Sequence, residues 1–347
     1  MKEKDLDYRI GFACKFYESS QDLNFRTIRA KTLDNIHQYS KKVDLVLSVL
    51  EHNVSALNNQ IEEILKWPKK LWMLRIGSDI FPLYTHKEYG KIYSENHIKS
   101  VLLSLERIGE KIRKNNIRIS MHPGQFTMLV SKNNKTVINS IEDLEYHADV
   151  FRYMNIDPND QKNEINIHVG ARVDNFEEIF LNNFNKLSED LKKWLSIEND
   201  EFSYGIFDIL KFSETTKIIF DIHHHWVMYN EYLSPDNEIM KKIILSWRGA
   251  RPEIHYSLPK EKYIKEEFAK NPLKEKDVGL SNFRNLFTTN NKKKLREHSL
   301  YCWSNVLNEY IMKFLDRFDI MVEAKAKQKA SNQLFHYVEN NIGSFYQ

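Results

Sequence analysis

Residues 217–230, KIIFDIHHHWVMYN, set an aspartate and three consecutive histidines directly after an apolar run of strand character. The same punctuation recurs along the chain: SMHPGQF carries His122, NIHVG carries His168, IEND carries Glu198, EIHYS carries His255 and VEAK carries Glu323. A lone histidine at such a place is ordinarily a hydrogen-bonded loop residue. Six such ends are a different matter, because imidazoles and carboxylates gathered in one cavity crowd anionic groups at a cost that cations must offset. A donor set of histidine nitrogen and carboxylate oxygen, without cysteine, suits Zn²⁺, Mn²⁺ or Fe²⁺ and argues against a soft-metal site.

What could bring these ends together is a barrel. Eight segments read as strands: YRIGFAC from Tyr8, LWMLRIGSD from Leu71, IRISMH from Ile117, EINIHVG from Glu164, WLSIEND from Trp194, KIIFDIH from Lys217, RPEIHYS from Arg251 and FDIMVEA from Phe318. Between them, stretches such as SENHIKSVLLSLERIGEKIRKNN return apolar residues at three- and four-residue intervals, the period of an amphipathic helix. Eight strands alternating with helices predict a parallel sheet closed as a (β/α)₈ TIM barrel. An open doubly wound sheet would show a glycine-rich phosphate loop after its first strand, and GFACKFYESS has none. In such a barrel the active site lies at the C-terminal ends of the strands, where the six residues stand. The second strand leads to RIGSDIFPLYTH, which places His86 just past its end.

The chain of 347 residues fits one barrel domain over 1–347, with room for two helices between Ala13 and Lys70, a lysine-rich insertion over about 258–298 between strands seven and eight, and a C-terminal helix over about 325–340. With 41% hydrophobic and 29% charged residues the chain can build a large core under a charged surface, which excludes a disordered chain. No apolar run reaches the roughly 18 residues of a membrane span, and the N-terminus lacks a secretory signal, so an intracellular, soluble protein without membrane association is expected. Two cysteines, Cys14 and Cys302, make no disulfide framework or zinc knuckle. The net charge of +3 decides nothing, but the lysines of LPKEKYIKEEF, NPLKEK and NNKKKLREH suit either a solvated loop or a phosphate-contacting surface.

Within FDIHHH, Asp221 ends the strand pointing into the barrel mouth, and His224 is the preferred second ligand as the chain turns away. His223 competes because it shares the strand parity of Asp221. His225 reads as a partner of a ligand or as solvent-facing.

Taken together, RIGSDIFP, HPGQF, IHVGA, LSIEND, FDIHHH, IHYS and DIMVEAKAKQKA closely resemble the UV damage endonuclease family, relatives of the endonuclease IV type barrels. The resemblance runs from the first strand to about Ala330, and HPGQF and MVEAKAK are its most specific parts. It implies a cluster of two to three divalent ions, most commonly Mn²⁺, with Zn²⁺ or Mg²⁺ as substitutes. Carried over, His122, His168 and Glu198 would hold one ion, Glu198 would bridge to a second held by Asp221, His255 and Glu323, and His224 with His298 of REHSLY would hold the third. Where the family usually has a lysine two residues before the strand-seven histidine, this chain has Glu253, which we expect to be a ligand or an outer partner of the third ion.

The resemblance further implies hydrolysis of a phosphodiester in damaged double-stranded DNA, on the 5′ side of UV photoproducts and at abasic sites, leaving a 3′ hydroxyl and a 5′ phosphate. Glu198 and Glu323 would serve that chemistry together with His86, which would orient the scissile phosphate or the nucleophile. Gln125 and Phe126 would fill the gap left by displaced bases. Phe12, like Phe16, stands where relatives present a polar or tyrosine side chain to the lesion, and is carried as a lesion contact with core packing as its alternative. A monomer is expected. A sugar isomerase or epimerase on the same barrel and a catalytically inactive DNA-binding relative are the alternative readings.

Overall fold

Each of the eight expected segments forms a strand, and in the computed structural model all eight close in chain order into one parallel barrel. The structure describes residues 6–263 and 292–345. The strands are β1 Ile10–Ala13, β2 Met73–Ile76, β3 Arg118–Met121, β4 Glu164–His168, β5 Leu195–Glu198, β6 Lys217–Asp221, β7 Glu253–Tyr256 and β8 Asp319–Val322. The helices are α1 Ala30–Asp34, α2 Tyr39–Leu65, α3 Glu95–Lys114, α4 Asn134–Tyr153, α5 Phe176–Phe184, α6 Glu189–Trp194, α7 Ile206–Ile209, α8 Ile222–Tyr229, α9 Glu238–Ser246, α10 Lys292–Leu295, α11 Asn305–Met312 and α12 Gln328–Phe345. Of the lysine-rich insertion expected over about 258–298, residues 264–291 lie outside the described residues. Among the described residues no helix is long and apolar enough to cross a membrane.

The strand period of two sorts the barrel into two faces. Outward-facing Ile119, Ile165, Ile197, Ile218, Ile254 and Ile320 enter the main apolar core between sheet and helices. On α2 the buried Val46, Val49, Leu50, Val54, Leu57, Ile61 and Ile64 recur at three- and four-residue steps, the stripe that seats a helix on a sheet. Phe12 belongs to this outer layer. It pairs with Leu74 in register, is wholly buried, and meets the rings of Phe16 at 5.0 Å and Trp67 at 6.0 Å. This corrects its assignment as a lesion contact: parity turns the side chain away from the barrel mouth and into the core.

The inward positions carry ionisable side chains where barrels usually hold branched aliphatics. Arg118, Glu164, Lys217, Glu253 and Asp319 are all fully buried. Arg118 ties the layer together, with Nη1 2.8 Å from Asp319 Oδ2, Nη2 3.4 Å from Glu164 Oε2 and Nε 3.5 Å from Glu253 Oε2. Lys217 donates from Nζ to the Asn163 carbonyl at 2.9 Å and lies over the Trp247 ring. Buried charges persist only when paired and hydrogen-bonded in this way. The layer forms a stiff floor beneath the strand ends.

Candidate metal centre

Further along each inward face from that floor lie the strand ends. His168 lies opposite Glu198 across β4 and β5, and Asp221 opposite His255 across β6 and β7. The structure brings together three overlapping groups whose donor atoms lie within 4.8 Å of one another: His122, His168 and Glu198; Glu198, Asp221 and His224; Asp221, His255 and Glu323. Glu198 is the hub. Its Oε2 is 3.5 Å from His122 Nε2 and 3.0 Å from His255 Nδ1, and its Oε1 is 3.5 Å from both His168 Nε2 and His224 Nδ1.

The turn out of β6 settles which histidine enters the centre. Asp221 accepts a hydrogen bond from the His224 backbone N–H at 2.7 Å through Oδ1, capping α8 at its first turn. Helical spacing therefore replaces strand parity from Ile222 onward and swings His224 back over the strand end. His223 is carried aside to stack on Trp226. His225 is fully buried beside Phe220 and Tyr229, so the expectation that it faces solvent is corrected.

The donor chemistry fits divalent cations. Asp221 Oδ2 is buried and lacks a hydrogen-bond partner among the described residues, although it points into the centre 3.9 Å from His255 Nδ1. His122 Nδ1 stands 2.8 Å from the Pro123 carbonyl, His224 Nδ1 3.0 Å from the Asn199 carbonyl, and His298 Nδ1 3.1 Å from the Glu323 carbonyl. A carbonyl accepts only from N–H, so each contact puts a proton on Nδ1. In His122 this leaves the Nε2 lone pair facing Glu198, the way ligand histidines are held, whereas in His224 it is Nδ1 that lies against Glu198 and Asp221 and Nε2 that faces Glu201.

Burial opposes ionisation throughout, and the charges decide the outcome. His255 and His168, with a hydrogen bond from His122, hold the Glu198 carboxyl well below the usual carboxylate range. Arg75 and then His255 do the same for Glu323 against its burial. Burial pushes Asp221 up to about 6, with the charge of His224 opposing the rise and those of Glu323 and Glu198 adding to it. Against its own burial, Asp221, Glu201 and Glu198 raise His224 to about 9.

Of the other expected site residues, His298 lies outside the three groups, its ring 5.3 Å from that of His223 and 6.3 Å from that of His224. Glu253 is corrected in place: it sits one layer below the strand ends, its Oε1 3.3 Å from His255 Nε2 and its Oε2 against Arg118, so it backs His255 rather than joining His224 and His298. His86 also stands apart. Half-buried, it stacks on Tyr89, and its Nδ1 accepts from the N–H groups of Glu88 and Tyr89 at 3.3 Å. Gln125 and Phe126 form the tip of a turn closed by the Thr127 N–H on the Gly124 carbonyl at 2.9 Å, with Phe126 76% exposed.

Sequence reasoning missed several groups that hold the centre. Arg75 donates from Nη1 to Glu323 Oε1 at 2.5 Å and from Nη2 to His255 Nε2 at 2.7 Å. Asn166 donates to Glu198 Oε2, and Asn199 is bonded to the backbone of Asp221 in both directions, at 2.9 and 3.0 Å. Glu201 Oε2 lies 3.6 Å from His224 Nε2. The signal for Asn166 was its inward parity with His168 and Glu164 on β4, whereas β2 offered no such neighbour to Arg75.

A family model described as UV-endonuclease UvdE matches residues 8–344. The UV DNA damage endonuclease of Clostridium perfringens (strain 13 / Type A) is 34% identical over 259 residues, a match that covers 72% of this chain and 58% of that protein. The UV DNA damage endonuclease of Bacillus cereus (strain 03BB102) is 29% identical over 344 residues, covering 96% and 94% of the two chains. The crystal structure of SacUVDE superposes with a TM-score of 0.75 at 26% identity, covering 97% of this chain and 100% of that one.

Proposed function

The chain belongs to the UV-endonuclease family UvdE, and from that premise we propose that it cuts a phosphodiester of damaged duplex DNA on the 5′ side of a UV photoproduct. The products would be a 3′ hydroxyl and a 5′ phosphate, and abasic sites would be further substrates. The observation that carries this reading is the sharing of Glu198 and Asp221 between adjacent ligand groups. Shared carboxylates are what a multi-ion centre for phosphoryl chemistry needs. Two to three divalent ions bound there, with Mn²⁺ the expected metal, would supply Lewis-acid stabilisation of the phosphoryl oxygens and lower the pKa of a water nucleophile.

The residues of the chain do the positioning. Glu198, Asp221 and Glu323 provide the anionic oxygens, and His122, His168, His224, His255 and His298 the nitrogens, with Arg75 and Glu253 orienting Glu323 and His255 from below. His86, with Nδ1 occupied by backbone N–H groups, has its proton on Nε2 and can donate it to a phosphate oxygen. Gln125 and Phe126 offer an amide and an aromatic face to a gap in the base stack. A damaged dinucleotide is cheaper to displace than an intact one, which gives selectivity at a rim that makes no sequence-specific contacts.

Supercoiled plasmid, irradiated or not, incubated with protein and Mn²⁺ or with EDTA tests this. Nicking that needs both irradiation and metal is expected. Binding without nicking would instead mark an inactive DNA-binding relative, and neither binding nor nicking would point to a small-molecule enzyme such as a sugar isomerase or epimerase.

A further inference from the structure

Beside the centre stands a pair of side chains that this reading does not use. Phe202, on the loop after β5, is 59% exposed, and Arg296 lays its guanidinium over the ring with Cζ 3.2 Å from the centroid. Arg296 Nε finds no hydrogen-bond partner among the described residues, so the ring is the neighbour that orients the guanidinium plane.

The loop that carries Phe202 is built to be rigid. Asp200 Oδ1 accepts from the backbone N–H groups of Phe202 at 2.6 Å, of Ser203, and of Tyr204 at 3.3 Å. The Tyr204 hydroxyl donates to the Ala171 carbonyl and accepts from the Val173 N–H, both at 2.9 Å, while its ring stacks on Phe176 at 4.3 Å. The exposed Arg172 donates to the Ser203 carbonyl at 2.8 Å, adding a second cation to the same turn. A fixed turn that leaves a phenyl ring in solvent is not explained by packing. Its location is specific: the neighbouring Glu201 reaches His224, and Arg296 is two residues before His298. The stack thus joins the loops that follow β5 and β7 at the edge of the metal centre.

Resting on the nuclease reading above, we propose that Phe202 and Arg296 form a stacking platform for one unpaired base of the DNA strand beside the scissile phosphate. An aromatic ring and a guanidinium plane both take the face of any base, and Arg296 and Arg172 bring charge to the flanking phosphates. The platform is separate from Gln125 and Phe126, which lie on the loop after β3. It would hold a base already released from the stack.

Anisotropy of a dye-labelled irradiated duplex, with an intact duplex alongside and Ca²⁺ in place of Mn²⁺, tests the platform. Phe202→Ala should weaken binding of the irradiated duplex by about 5- to 100-fold, the cost of one lost base stack. Phe202→Trp should restore it, and Arg296→Lys, which keeps the charge but not the plane, should lose it; the intact duplex should barely respond. Irradiated duplex bound equally by all variants, equal losses on both duplexes, or a wild-type protein that binds no DNA would overturn the platform. Binding that follows the predicted ratios in a protein that never nicks would support the platform and sink the nuclease reading; normal nicking with unchanged binding would do the reverse.

Discussion

Glu198 Oε2 lies 3.0 Å from His255 Nδ1, although the two residues stand on β5 and β7 with β6 between them. The carboxylate reaches across the barrel mouth and meets imidazoles from the ends of four strands, His122, His168, His224 and His255. It is the point at which the ligand groups join.

Replacing Glu198 by Gln keeps the shape and removes one anionic oxygen from two groups. Mn²⁺ affinity should fall at least about 100-fold, the upper end of what disturbing a ligand's support costs. Calorimetric titration checks this. Saturating Mn²⁺ should raise the melting temperature of the wild-type protein by a few degrees, as binding to the native state alone requires, and should leave the variant unmoved. Nicking of irradiated plasmid should vanish with the metal.

Glu253 is tested by Glu253→Gln. The substitution leaves Arg118 and Arg75 short of a buried counter-charge and should cost about 3–5 kcal/mol in urea unfolding. Loss of the carboxylate behind His255 should also weaken Mn²⁺ binding about 10- to 100-fold. A variant as stable as wild type would show that the floor does not need its charge.

Glu164 carries a pH signature. Burial, together with the charge of Glu253, pushes its carboxyl up to about 8, so Glu164 holds a proton while Glu253, paired with the arginines, stays ionised. The folded-state pKa lies above the unfolded one, so between about 4.5 and 8 the native state binds more protons and stability falls as pH rises. The full penalty, on the order of a few kcal/mol, is in place above pH 8. Glu164→Gln abolishes this dependence. Its unfolding free energy relative to wild type should be close to zero near pH 5 and favourable by pH 9.

How much of this could be read from the chain depends on the local period. The six candidate ligands at the strand ends were legible because each is a single chemical residue after an apolar run, and the barrel places such ends on one rim. Phe12 was misread because a four-residue strand shows its parity poorly, and the inward positions of β1 are the small Gly11 and Ala13. The solvent-facing alternative for His225 failed because the period changes from two to 3.6 at Ile222, where the Asp221 side chain starts a helix. The charged floor was invisible because Arg118 and Lys217 show their purpose only once the closed barrel pairs them, and Glu253 stood out only as an expected ligand or outer partner of the third ion.

Phe126 tests the lesion loop. Being 76% exposed, its replacement by Ala should leave thermal stability unchanged. Binding to an irradiated duplex should weaken by about 1–3 kcal/mol, the worth of one aromatic–base stack, while an intact duplex loses little. Competition binding with the two duplexes measures the difference.

The claim on which the rest depends is that side chains from six strands hold divalent cations between them. Crystals equilibrated with Mn²⁺ and measured at the manganese absorption edge address it directly. The account predicts anomalous peaks between His122, His168 and Glu198 and between Asp221, His255 and Glu323, with Glu198 touching more than one ion. Anomalous density confined to the protein surface, or none at full Mn²⁺ saturation, would contradict it.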